Sequence, residues 1–218
     1  MFSTEYKEFL NLHIDAHKKF IKVNKGSHYQ KDIAFKGNSL LPHIEFIKKL
    51  IRDYNCKSLL DYGCGKGLVY FKSFYSKSSG KAYKNIGEYW SSIKKITLFD
   101  PCYEKFKYFP NSLSDITVCT DVLEHIPEKD LGWVTEELFL LSKKLVFITV
   151  PTYLSSELLE GDINTHLTVK NGSWWRNIIE SVQKKFKHID YYLVYRYISP
   201  NGRKNRLLTN RKKFENFQ

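Results

Sequence analysis

The chain has 218 residues, 42% of them hydrophobic and 16% aromatic, and a formal net charge of +12. That is enough apolar material for one substantial core, which excludes a largely disordered chain and a disulfide-dependent mini-domain. Cys56, Cys64, Cys102 and Cys119 form no CxxC pair, which argues against a zinc knuckle and fits a reducing cytoplasm, and no apolar run is long enough to span a bilayer.

In chain order, residues 3–23 place Tyr6, Phe9, Leu10, His13, Ala16, His17 and Phe20 on one helical face. The start is polar and helix-periodic, unlike a signal peptide. A second helix follows in "NSLLPHIEFIKKLIRDYN" (38–55), with Leu40, Leu41, Ile44, Ile47, Leu50 and Ile51 at helical spacing. Asn38 or Ser39 can cap it, and Pro42 falls in its first turn, where proline is tolerated. The period then changes. "KSLLDY" (57–62), "KITLFD" (95–100), "DITVCT" (115–120) and "KLVFITV" (144–150) are short buried-strand patterns. "PEKDLGWVTEELFLLSKK" (127–144) and "GSWWRNIIESVQKKFK" (172–187) read as helices, and "HIDYYLVYRYI" (188–198) as a strand. Residues 71–92 look like an insertion, and residues after Pro151 like a polar loop.

Strands alternating with helices predict one α/β domain over 1–218, a mostly parallel sheet with helices on both faces. Residues 1–54 form an N-terminal helical extension, 55–151 the core, and 152–218 a loop, a helix and C-terminal strands. Lysine is spread along the chain, with denser groups at 18–25 and in "RKNRLLTNRKK" (203–213). A solubilising surface explains this, and a nucleic acid or anionic glycan partner is the alternative.

"SLLDYGCGKGLVY" (58–70) runs a strand ending in Asp61 into Gly63-x-Gly65-x-Gly67 and a predicted helix. Such glycines let backbone approach a ligand, and a helix N-terminus offers free N–H groups. An ordinary tight strand–helix turn is the alternative explanation. Asp100, at the tip of the neighbouring strand, is placed to accept ribose hydroxyls or to cap the turn before Pro101.

Together these features resemble class I S-adenosylmethionine (SAM)-dependent methyltransferases, with their Rossmann-like fold. "LLDYGCGKG" looks like their motif I, "LFDP" their acidic second-strand motif, and "SDITVCTDVLEHIPEKDL" (114–131) their fourth-strand motif. The chain is also similar to poorly characterised methyltransferases of marine bacteria and phages, which share the DYGCGKG start, a tryptophan-bearing insert (Trp90) and an N-x-H…WW segment (Asn164, His166, Trp174, Trp175). The resemblance implies SAM as cofactor and a cytoplasmic enzyme. Asp61, Gly63 and Gly65 would line its methionine end, Gly67 would complete the turn, Asp100 would hold the ribose, and Asp115 to Asp121 would run beside it. Only fourteen residues separate Asp100 from Asp115, so the third strand is expected to be reduced or absent.

Methyl transfer needs positioning and, for some acceptors, proton removal. Catalytic candidates at the sheet's carboxyl edge are Asp121 and His125 in "DVLEHIP", and His166. One reading makes His125 or His166 a general base with no metal. The alternative sets Asp121, Glu124, His125 and His166 around a divalent ion such as Mg²⁺, similar to the E-x-x-E-H site of small-RNA 2′-O-methyltransferases. The expected acceptor is an oxygen or nitrogen of a small molecule or glycan, with chelator-insensitive activity and His166 the more sensitive histidine. RNA ribose and a non-catalytic SAM- or nucleotide-binding module are the alternatives. "DPCY" (100–103) lies on the wrong strand for exocyclic base methylation.

Overall fold

The computed structural model describes residues 3–18, 21–23, 29–30 and 35–211, with backbone only for 21–23 and 29–30. Its elements are, in order, α1 (Thr4–Lys18), β1 (Ile21–Val23), β2 (Tyr29–Gln30), α2 (Ile44–Asp53), β3 (Ser58–Tyr62), β4 (Phe74–Ser76), β5 (Lys81–Tyr83) and α3 (Ile86–Tyr89). There follow β6 (Lys95–Phe99), β7 (Ser114–Thr120), α4 (Leu131–Leu140), β8 (Ser142–Pro151), β9 (Glu157–Leu159), β10 (Ile163–Asn164), α5 (Gly172–Gln183), β11 (Asp190–Ser199) and β12 (Gly202–Thr209).

Successive side chains of the central strands alternate between the two faces of the sheet and build two cores. Leu60, Val146, Ile148 and Leu193 face α4 and α5, while Leu59, Leu145, Phe147 and Tyr192 face α2 and the 68–93 region. The six-stranded sheet has the order β12-β11-β8-β7-β3-β6, parallel except for the β11–β12 hairpin. Helices flank both faces, an arrangement compatible with a Rossmann-like fold. β10-β9-β1-β2 form a second, small antiparallel sheet within the expected polar loop and N-terminal region. No helix among the described residues is long and apolar enough to cross a membrane.

Several expectations need correction. The first helix stops at Lys18, and Phe20 lies outside the described residues, as do Lys212 and Lys213. Neither Asn38 nor Ser39 caps α2: a 3₁₀ segment, Asn38–His43, precedes it, and the Ser39 hydroxyl reaches across to the Thr120 carbonyl (3.1 Å). The helix over 127–144 is confined to Leu131–Leu140, after a 3₁₀ turn at Glu128–Asp130. No α-helix follows Gly67; a 3₁₀ turn, Leu68–Tyr70, leads into the β4–β5 hairpin. Residues 71–92 hold that hairpin and the short α3. No strand forms between β6 and β7, which leaves β6 at the sheet edge, as the short spacing predicted.

Candidate functional site

From β3 the chain passes to β6 on one side, and then to β7 on the other. Their carboxyl ends therefore diverge at a topological switch point, where open α/β sheets hold ligands. A cavity of about 130 Å³ lies there. Its floor is the loop after β3 (Gly63, Gly65), the loop after β6 (Asp100, Cys102) and the loop after β7 (Thr120 to Ile126), and its roof is α1 with Phe35.

The glycine loop is internally satisfied. Gly63 and Cys64 donate their N–H groups to the Phe99 carbonyl (2.7 and 3.1 Å), and Gly65 donates to Asp100 Oδ2 (2.7 Å). Lys66 donates to the Phe35 carbonyl (2.7 Å), Gly67 to Cys64 (3.0 Å) and Leu68 to Lys36 (3.1 Å). No backbone donor from Gly63 to Leu68 is left over for a phosphate. The glycines are demanded by neighbours within the chain. A Cβ on Gly65 (φ 56°) would sit 2.2 Å from the Phe35 carbonyl oxygen, and one on Gly63 (φ 78°) 2.3 Å from Val122. Gly63 and Gly65 still reach the cavity, whereas Gly67 does not line it.

Of the four carboxylates expected beside a cofactor, the structure brings two to the cavity. Asp100 lines it while bracing two loops, its Oδ2 on Gly65 N and its Oδ1 on Cys102 N (2.8 Å). Burial pushes its carboxyl up to about 6, against the pull of those N–H groups. Asp121 also lines the cavity, in a left-handed backbone conformation (φ 56°) that aspartate tolerates better than most residues. Its Oδ2 pairs with Arg196 of β11 (2.5 Å) and its Oδ1 accepts from the Thr149 hydroxyl (2.7 Å).

The other two lie elsewhere. Asp61 points to the α2 face, where the Tyr70 hydroxyl donates to it (2.9 Å), and it does not line the cavity. Asp115 is at the opposite end of the sheet, because β7 begins at Ser114. There its Oδ2 accepts from the backbone of Lys57 and Ser58 (2.7 and 3.3 Å), a brace for the start of β3. Its assignment beside a cofactor is overturned by position alone.

"DVLEHIP" folds as a 3₁₀ turn, Leu123–His125, and gathers Glu124, His125 and His166 so that their ligand atoms lie within 4.8 Å of one another. His125 donates from Nδ1 to the Thr165 carbonyl (2.5 Å), and His166 from Nδ1 to the Tyr153 carbonyl (2.7 Å). Burial lowers both imidazole pKa values, which keeps the rings neutral. With Nδ1 as the protonated nitrogen, both Nε2 lone pairs point inward, each 3.9 Å from Glu124 Oε1. Glu124 is fully buried, neither carboxylate oxygen has a hydrogen-bond donor, and burial drives its pKa well above the ordinary value. With Glu124 ionised, the cluster holds acceptors only. The loop is pinned by Thr168, which donates to the Glu124 and Ile126 carbonyls, and by Asn164, whose Oδ1 takes the His166 N–H (3.0 Å). Asp121, committed to Arg196 and Thr149, stands outside this group.

Sequence reading missed the roof. His13 and His17 sit on the inner side of α1 and line the cavity, but their i, i+4 spacing within an apolar stripe looks like core packing. Phe35, Ser39 and Arg196 carry no local signal. Trp175 is fully buried in the core that faces α4 and α5, and Trp90 is in the other core. Comparison with known family models, curated proteins and solved structures gave no match.

Proposed function

We propose that the chain is a SAM-dependent methyltransferase acting on an oxygen or nitrogen of a small-molecule or glycan acceptor. The observation that carries this reading is the charge of the cavity. In a chain of net charge +12, no lysine or arginine among the described residues lines it, whereas Asp100, three histidines and Asp121, the last in its pair with Arg196, do. With the glycine-loop donors also consumed, the cleft is hostile to phosphate and suited to a cationic ligand rich in hydroxyl and amino groups. Among adenosine cofactors that description selects a sulfonium over a dinucleotide. SAM, when bound, supplies an electrophilic methyl group. The chain's part is to orient it, with Asp100 at the ribose and the Asp121–Arg196 pair holding the β7 loop.

Glu124, His125 and His166 would hold a divalent ion, which would polarise a hydroxyl acceptor. The donor set fits: a buried carboxylate without a partner, and two imidazoles whose Nδ1–H groups are fixed by carbonyls. Two imidazole ligands favour an ion such as zinc over magnesium, the ion of the alternative metal reading of the sequence. In this reading neither histidine is free to act as a general base.

Calorimetry with SAM, ATP and NAD⁺ tests the proposal. SAM is expected to bind and the two phosphate-bearing ligands are not. Binding of ATP or NAD⁺ with indifference to SAM would overturn it.

A further inference from the structure

The roof of the cleft carries an unexplained cost. His13 is 8% exposed and donates from Nδ1 to the Phe9 carbonyl (3.0 Å), so in the neutral ring Nε2 is a lone-pair acceptor. That Nε2 is buried and has no hydrogen-bond partner. One turn on, the His17 side chain is 4% exposed and stacks on both Phe35 (4.7 Å between centroids) and Tyr103 (5.4 Å). Its Nε2 faces Asp100 Oδ1 at 4.0 Å, beyond hydrogen-bond reach, and its Nδ1 is likewise buried without a partner. Buried polar atoms are normally satisfied, and leaving one unpaired costs about 1–3 kcal/mol. Two such atoms, four residues apart on one helix in side chains that line one cavity, mark a place where something else donates.

We infer that α1 is a ligand-binding element of this cleft: His13 Nε2 and His17 Nδ1 accept hydrogen bonds from hydroxyl or amino groups of the molecule bound there. His17 serves the end near Asp100, and His13 the end near His125, whose ring lies 5.2 Å away. The inference rests on the cofactor reading above. The cavity, about 130 Å³, is smaller than the roughly 300 Å³ at which ligand pockets begin, so the inference requires α1 to shift as the molecule enters and meets its inner face. The N-terminal half of the helix is tied by Ser3 to Asp130 and by Tyr6 and Leu10 to the main core, while Phe9 and Ala16 join a smaller cluster with Leu159.

The full chain should be titrated with SAM by calorimetry, and its melting temperature measured, for wild type and four variants. His17→Phe keeps the ring stack but removes both nitrogens; it should bind SAM about tenfold more weakly while melting at the same temperature or higher. His13→Leu should behave alike. His17→Asn and His13→Gln return an acceptor near the lost nitrogen and should recover most of the affinity. If wild type binds SAM and His17→Phe and His13→Leu bind it equally well, the inference fails and the cofactor reading survives. The inference also fails if affinity and melting temperature fall together without rescue. If wild type does not bind SAM, the cofactor reading fails and this inference with it.

Discussion

The loops after β3 and β7 meet at one cleft and are opposite in how their polar groups are satisfied. The β3 loop carries the more conspicuous sequence, three alternating glycines, yet every N–H from Gly63 to Leu68 is used within the chain. The β7 loop carries an ordinary-looking turn, yet it buries a carboxylate without a donor between two inward-facing imidazole lone pairs. Glycines thus report close backbone packing, here against Phe35 and Val122, before they report a ligand. Unsatisfied buried acceptors are the better pointer to chemistry, because folding tolerates them only where a partner compensates.

The sharpest way to break this contrast is Gly65→Val. If the glycine is needed for chain packing, the variant should lose about 3 kcal/mol or more of stability, since its Cβ meets the Phe35 carbonyl and the φ is left-handed. Chemical denaturation measures this; a variant as stable as wild type would return the glycine to a purely ligand-facing role. Next in size are the β7-loop variants. Glu124→Gln and His166→Ala should each weaken Zn²⁺ or Mn²⁺ binding about 100-fold, read by metal-titration calorimetry. Activity should be lost with chelator and return with the ion. Full chelator-insensitive turnover would restore the general-base reading of His125 and His166.

A smaller effect separates Asp61 from the cleft. Burial pushes its carboxyl up from 3.8 to about 7, with the Asp100 charge adding to it and the Tyr70 hydroxyl opposing it. The folded state therefore holds a proton that the unfolded chain releases. The associated stability is complete below pH 3.8 and is lost as pH rises through about 7. Asp61→Asn, which can still accept from Tyr70, should flatten that slope and add about 1–2 kcal/mol at pH 8. The smallest expected change is Asp115→Asn, about 1 kcal/mol of stability from weakened bonds to Lys57 and Ser58, with SAM affinity unaltered.

What the sequence determined by itself was the layered α/β architecture, the missing third strand and the two loops at the sheet's carboxyl edge. Those follow from local periodicity and from the spacing between Asp100 and Asp115, too short for a helix and a strand. It also placed Glu124, His125 and His166 in one candidate set, though with Asp121 added and the metal disfavoured. Only the tertiary structure decided which acids face the cleft. A two-residue period turns Asp61 to the α2 face, and the strand's direction carries Asp115 to the far edge. It also decided that Arg196, 75 residues away, occupies Asp121. Where a helix was expected after Gly67 there is a 3₁₀ turn, and the Phe35 and Lys36 carbonyls, brought in from elsewhere in the chain, take the Lys66 and Leu68 N–H groups. His13 and His17 were hidden for a related reason. An imidazole in an apolar stripe has the same spacing whether it fills a core or roofs a cavity, and only the neighbours brought by the fold distinguish the two.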